Sequence, residues 1–262
     1  MLTKCQDAAL KKCMQWLELK DKQVFRLYGS AGSGKSFLIG KIVEACGIDP
    51  SRIAFCAPTG KAATVLMQRY AYPNVSTLHH LIYIPYSESK LVLTSDNEID
   101  GIESTTSFMR KDALEGIDLV VLDEVSMVDR EMMSDLLSYG KPVLAVGDPF
   151  QLPPINDKAL DPSKADALLT EVVRQAAGNP IIALSEQARN GLRIKEGNYG
   201  NAKVISKQSL SKELLMQLML SADQVICGLN CTRRRINKEM REKLGFTDIL
   251  PEKGDKLICK SN

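Results

Sequence analysis

The eight residues Gly29–Ser36, GSAGSGKS, constrain this chain more than any other stretch. They fit the spacing glycine, four residues, glycine, lysine, then serine or threonine, and they stand between an apolar run, VFRLYG (24–29), and a helical pattern that opens at Lys35. Glycines let the backbone curl until its N–H groups point inward, and the following helix adds its positive N-terminal end. Lys35 is then placed to meet the β- and γ-phosphates of a nucleotide, and Ser36 to hold Mg²⁺. At average residue usage the bare pattern arises by chance in about 1% of chains this long. With a strand before it and a helix after it, the phosphate reading becomes specific. Gly29, Ser30, Ala31, Gly32, Ser33, Gly34, Lys35 and Ser36 are the candidate nucleotide-binding residues.

The first half of the chain repeats that strand-then-helix unit. RIAFCAP (52–58) precedes a helix from Lys61, LVVLDE (119–124) precedes a helix near Arg130, and PVLAVGD (142–148) is a further apolar run. Alternation of this kind predicts an α/β fold with a mostly parallel central sheet flanked by helices. In open α/β sheets ligands bind at the carboxyl ends of the strands, so functional residues are expected at strand tips. Residues 83–117 break the rhythm, being rich in Ser, Thr and acids around one β-prone run at Leu91–Thr94, and are expected to be an insertion on the sheet's rim. From Asp161 the pattern turns helical. Asn179, Pro180 and Gly191 frame a helix as N-cap, first-turn proline and C-terminal glycine. The stretch GLRIKEGNYGN marks a boundary near 191–202, dividing residues 1–200 from 201–262; beyond it come a helix around 211–220, a strand QVICGL and the helix TRRRINKEMREKLG.

Composition narrows the class. The chain has 262 residues, 44% hydrophobic and 25% charged, which excludes a collagenous or disordered polymer and allows one or two domains with real cores. Its 7 cysteines are scattered and form no C-x-x-C pair, so they are expected to be reduced thiols of a cytoplasmic protein, with no zinc site. No run approaches the roughly 20 apolar residues of a membrane span, so no membrane partner is expected. Net charge is only +2. Residues 203–262, with 12 basic and 7 acidic groups, are the basic end, and the run Arg233–Arg235 there suits either a polyanion or a solvated helix face.

Asp123 and Glu124 end the apolar run LVVLDE. At a strand tip one acid can coordinate Mg²⁺ and its neighbour can orient and deprotonate an attacking water, although two such acids also serve simply to solubilise a strand end. The phosphate loop upstream favours the catalytic role. The next run ends GDPFQLPP, which brings Asp148 and Gln151 beside the same site, where the amide can contact a γ-phosphate or the attacking water.

Taken together these segments resemble the superfamily 1 DNA helicases of the RecD/Dda-like branch, and the resemblance runs in order over nearly the whole chain. It implies a RecA-like P-loop NTPase domain followed by the start of a second RecA-like domain, with ATP and Mg²⁺ as ligands and single-stranded DNA as partner. By resemblance, LTKCQDAAL is similar to an adenine-recognising motif that places Gln6 on the base. APTGKAA (57–63) and STLHHLI (76–82) resemble motifs that touch single-stranded DNA, which singles out Pro58, Thr59, Lys61, Thr77 and His79. Hydroxyl, lysine and histidine donors on strand-tip loops suit a phosphate backbone physically as well. Thr77 could equally cap a helix, and His79 or His80 could be packed. LTEVVRQAAGNPI (169–181) resembles the segment whose arginine, here Arg174, reaches the γ-phosphate. VICGLNCTRRRIN resembles the start of the second motor domain, with Asn230 and Asn237 matching the family's paired asparagines and Leu229 standing where threonine is usual.

The family's later His-Lys-x-Gln-Gly and Thr-Arg segments have no match here. The expectation is a fragment of a longer helicase, with a naturally shortened relative as the alternative, and a monomer in either case. The function expected is an ATP-driven motor that moves 5′→3′ on single strands and unwinds duplex, weakly active as this chain alone. Two other classes compete. One is a nucleotide-gated single-strand-binding module with little turnover. The other is a small-molecule P-loop kinase, which APTGKAA and GDPFQLPP argue against.

Overall fold

The computed structural model describes residues 2–70, 72–93, 99–151, 161–171 and 178–257. The chain divides into two compact units, Met1–Ala183 and Leu184–Asn262.

The first unit is organised by six short apolar strands: β1 (Val24–Gly29), β2 (Ile53–Ala57), β3 (Val75–Thr77), β6 (Leu119–Leu122), β7 (Val143–Gly147) and β8 (Ala167–Leu169). They pair in the order β3-β2-β6-β7-β1-β8, parallel throughout, with Leu27 opposite Val146 and Phe55 opposite Val121 as register marks. Successive strand residues face opposite ways, so the apolar runs feed two cores. Phe25, Leu27, Ile53, Phe55, Leu119, Val121, Leu144 and Val146 pack with Cys13 and Trp16 of α1 (Lys4–Leu19) and with Leu38, Ile39 and Ile42 of α2 (Lys35–Ala45). Their neighbours Val24, Tyr28, Ala54, Cys56, Val120, Leu122, Val143 and Ala145 meet Leu78 and Ile82 of α4 (Leu78–Ile82) and Met133 and Leu136 of α5 (Arg130–Leu137). α3 (Gly60–Arg69) follows β2. All four runs read from the sequence are strands within one or two residues.

Two segments differ from expectation. After Asp161 a 3-10 turn, Pro162–Lys164, leads not to a helix but to β8, whose Ala167 and Leu169 are buried opposite Leu27 and Gly29; a three-residue apolar run carries no period that separates helix from strand. β4 (Tyr83–Leu93) and β5 (Ile99–Arg110) pair antiparallel, from Tyr83–Arg110 to Leu93–Ile99, as a sheet of their own. The expected insertion thus carries more strand than its one β-prone run at Leu91–Thr94 suggested; Thr94 lies outside the described residues.

The second unit holds a short hairpin, β9 (Gly197–Tyr199) with β10 (Ala202–Val204), then α7 (Lys212–Ser221) and α8 (Asn230–Lys243). The expected helix α6 (Pro180–Arg189) spans the division between the units, with Asn179 Oδ1 accepting from the Ile181 N–H at 2.9 Å. No residue of α7 or α8 is buried. Arg241 ties down the segment after α8, donating to Asp255 at 2.8 and 3.0 Å and to the carbonyls of Asp248 and Leu250. QVICGL is not a strand: Ile226 is 87% exposed and pairs with no described segment. An isolated strand leaves its backbone groups without ladder partners, so apolar pattern alone does not form one.

Candidate active site

β1 ends at Gly29, and the loop from there to α2 turns through Gly32 and Gly34, with φ of 79° and 78°, a region that costs a residue with a Cβ. At Gly29 a Cβ would lie 2.5 Å from Ser33 Oγ and 2.9 Å from Leu169 Cβ, so the loop closes on the strand only because that atom is missing. Lys35 Nζ donates inward to the carbonyls of Gly29 at 2.7 Å and Ser30 at 3.1 Å. Those carbonyls hold the ammonium over the curl of the loop.

Beside it stand the tips of β7, which pairs with β1, and of β6, next along the sheet. Asp123 and Glu124 follow β6, and Asp148 follows β7. Asp123 Oδ1 accepts the Glu124 N–H at 2.9 Å, and burial holds the Asp123 carboxyl above its ordinary range against that bond and the charges of Lys35 and Arg69. Burial also raises Glu124, reinforced by the charge of Asp123 and opposed by Lys35 and by a hydrogen bond with Gln151. Glu124 has φ 54°, a left-handed backbone unusual for a residue with a side chain. Gln151 Oε1 accepts from Ser126 Oγ at 3.2 Å, and the buried Asp148 accepts the Phe150 N–H at 3.0 Å. Lys35, Asp123, Glu124 and Gln151 therefore meet in one place. Arg174 lies outside the described residues.

The cradle fits a phosphate and a divalent cation. Among the described residues three buried side-chain atoms lack a hydrogen-bond partner, and two of them belong to these segments: Glu124 Oε2, within reach of the Lys35 charge, and Ser33 Oγ, tucked inside the loop against Gly29. Buried polar atoms without partners are rare, and a ligand is one reason for them. A hydroxyl (Ser36) and a carboxylate (Asp123) are hard oxygen donors of the kind Mg²⁺ takes beside phosphate oxygens. A positive group already stands there: the Arg69 guanidinium donates to Ser36 Oγ, its charge is felt at Asp123, and Tyr70 donates its hydroxyl to the Ser36 carbonyl. Sequence reasoning missed both Arg69 and Tyr70, because nothing in their spacing ties the end of α3 to the start of α2.

The remaining candidates are differently engaged. Gln6 is buried, with Oε1 accepting the Thr3 N–H and Nε2 donating to the Ser33 carbonyl, each at 3.0 Å, so it closes the capping box of α1 and joins that helix to the phosphate loop. Pro58 and Thr59 follow β2. Thr59 caps α3 through the Ala62 N–H at 3.3 Å, and Thr77 caps α4 through His80 N–H at 3.1 Å. His79 packs on Tyr83 and edge-on against Phe108, with ring centroids 4.7 and 4.4 Å away. Lys61 is exposed.

A family model described as an AAA domain matches residues 1–208. The ATP-dependent RecD2 DNA helicase of Deinococcus radiodurans is 34% identical over 188 residues, covering 67% of this chain and 22% of that protein. The ATP-dependent DNA helicase dda of Enterobacteria phage T4 is 29% identical over 204 residues, covering 72% and 43%. The ATP-dependent DNA helicase Pif1 of Bdellovibrio bacteriovorus is 32% identical over 240 residues, covering 85% and 49%. The chain thus spans less than half the length of each of these relatives. Among solved structures, the crystal structure of Pif1 helicase from Candida albicans shares the fold at a TM-score of 0.50 and 19% identity, over 96% of this chain and 59% of that one.

Proposed function

The chain belongs to the AAA domain family, and from that premise we propose that it is the ATP-hydrolysing motor of a DNA helicase, translocating 5′→3′ on single-stranded DNA as a monomer. In this reading residues 1–200 form the ATP-binding motor and residues 201–262 begin a second RecA-like domain. The observation that carries it is the meeting of Lys35, Asp123 and Glu124 at the Gly29–Ser36 loop, with Glu124 Oε2 buried and without a hydrogen-bond partner.

Each residue then has a task. Lys35 exchanges the carbonyls of Gly29 and Ser30 for the β- and γ-phosphates, while the loop amides from Gly29 to Ser36 wrap the chain of phosphates. Ser36 and Asp123 would hold Mg²⁺, which when bound would supply positive charge against the phosphates. Glu124 takes a proton from the attacking water as its oxygen bonds to the γ-phosphorus, and the bond to ADP breaks with its electrons on ADP. Gln151 orients that water, Asp148 adds a second buried carboxylate beside it, and Arg174 stabilises charge on the γ-phosphate. Gln6 places the adenine end next to α1. Pro58, Thr59, Lys61, Thr77 and His79 face the DNA backbone.

Multiple-turnover ATPase with and without a single-stranded oligonucleotide tests the proposal. Turnover that the oligonucleotide raises, and that Lys35→Ala abolishes, is expected. A chain that binds nucleotide and single strands but never turns over overturns the motor assignment.

A further inference from the structure

Ser36 begins α2, and Arg69 ends α3 on a separate crossover of the sheet. Their contact is specific. The guanidinium donates to Ser36 Oγ, the next residue, Tyr70, donates its hydroxyl to the Ser36 carbonyl, and Tyr70 is itself stacked on Phe55 and Tyr72 at 6.0 and 5.6 Å between ring centroids. The positive charge of Arg69 also opposes, more weakly than the Glu124 N–H and Lys35, the burial that raises the Asp123 carboxyl. One cation therefore occupies a hydroxyl that a divalent metal would take.

We propose that Arg69 is a stand-in cation: its guanidinium competes with Mg²⁺ for the Ser36 hydroxyl, and Mg²⁺ bound with nucleotide displaces it. This rests on the nucleotide reading of the cradle and adds a consequence for α3. That helix is 10 residues, about 15 Å at 1.5 Å per residue. Its far end is capped by Thr59 and carries Lys61, the candidate single-strand contacts. Holding or releasing Arg69 holds or releases one end of the rod whose other end faces the DNA. Arg69 is exposed, so releasing it costs little and the exchange is reversible.

The test follows binding of a fluorescent ADP analogue to the purified chain while free Mg²⁺ is titrated. Arg69→Met keeps the apolar stem and removes the charge and donors; Arg69→Lys keeps a charge without the fork. With one charge-assisted bond no longer competing, the Mg²⁺ midpoint of Arg69→Met is expected to fall about threefold to tenfold, with Arg69→Lys between it and wild type. In the same samples, oligonucleotide affinity of wild type is expected to differ at least about threefold between the nucleotide-free and Mg·ADP states, and less than about twofold in Arg69→Met. A midpoint within about twofold of wild type, or one that rises because Arg69 serves the phosphates instead, overturns the inference. An oligonucleotide affinity equally sensitive to Mg·ADP in both proteins overturns the link through α3. Nucleotide binding that is indifferent to Mg²⁺ in wild type and to Lys35→Ala defeats the reading of the cradle itself, and with it this one.

Discussion

The loop after β1 and the loops after β2 and β3 are both strand-tip loops, yet they dispose of their polar groups in opposite ways. In the Gly29–Ser36 loop and the facing tips of β6 and β7, capacity is held back: Ser33 Oγ and Glu124 Oε2 are buried without partners, and Asp123 and Glu124 are held above their ordinary carboxyl range by burial. In the loops at Thr59 and Thr77 it is spent, since both hydroxyls close helix caps and His79 is packed between aromatic rings. The first region stores unsatisfied chemistry that a ligand must complete. The second is stable by itself and offers a ligand what is left over. Substitutions in the cradle should therefore act steeply on function, and those in the other loops should act gradually and partly through stability.

The largest expected effect is Lys35→Ala. Its ammonium bonds the loop carbonyls of Gly29 and Ser30 at a strand tip rather than in the apolar core, so the melting temperature should stay within a few degrees while nucleotide affinity drops beyond detection. A fluorescent nucleotide titration decides it, and retained affinity with retained turnover would break the comparison at its root.

Glu124→Gln comes next. The amide keeps the shape but cannot take a proton, so nucleotide should still bind while turnover falls about 10²-fold or more. The pH dependence carries a sign. The folded carboxyl lies above its unfolded value, so the folded state holds its proton more tightly; wild type is more stable below the unfolded range and loses that stability as pH rises through the folded value. At neutral pH the ionised, buried Glu124 is a liability, and Glu124→Gln should melt higher than wild type there and lose that advantage in acid. Wild-type turnover should fall on the acid side at a pH above that of an ordinary glutamate. A Glu124→Gln protein that melts lower than wild type at neutral pH would reverse the burial argument.

The sequence carried the cradle well because a phosphate loop needs glycines at set spacings and a strand tip needs an apolar run before its acids; both requirements are local. The same locality explains the four strands read within a residue or two. What escaped depends on partners far along the chain. β8 is a strand because Leu27 and Gly29 lie beside it, QVICGL is not one because no described segment does, and Arg69 reaches Ser36 only once β2 and its crossover are in place. Gln6 and Thr77 show a further limit. A residue type suited to a ligand is equally suited to a helix cap, and in this structure both form caps.

Thr59→Ala sharpens the second half of the comparison. Losing an N-cap costs about 1 kcal/mol, so the protein should melt a few degrees lower, and single-strand affinity should weaken by about fivefold as the start of α3 frays. Chemical denaturation and oligonucleotide titration, run in parallel, must move together. Weaker DNA binding without any loss of stability would mean that the hydroxyl serves the ligand rather than the helix.

Lys61→Ala is the smallest change and the one that separates charge from architecture. Lys61 is exposed within the first turn of α3, where its side chain makes no hydrogen bond or ion pair among the described residues, so the substitution should leave the melting temperature unaltered. A lysine that neutralises one phosphate of a single strand contributes about 0.7 to the slope of log affinity against log salt. Lys61→Ala should therefore weaken oligonucleotide binding about threefold at low salt, equally for all sequences, and flatten that slope by about 0.7. The difference from wild type should fade as salt is raised, because the lost term is itself a counterion term. An unchanged slope would remove Lys61 from the DNA path and leave α3 as a structural neighbour of the cradle, whereas a sequence-selective loss would require a base contact that a lone ammonium on an exposed turn is poorly built to make.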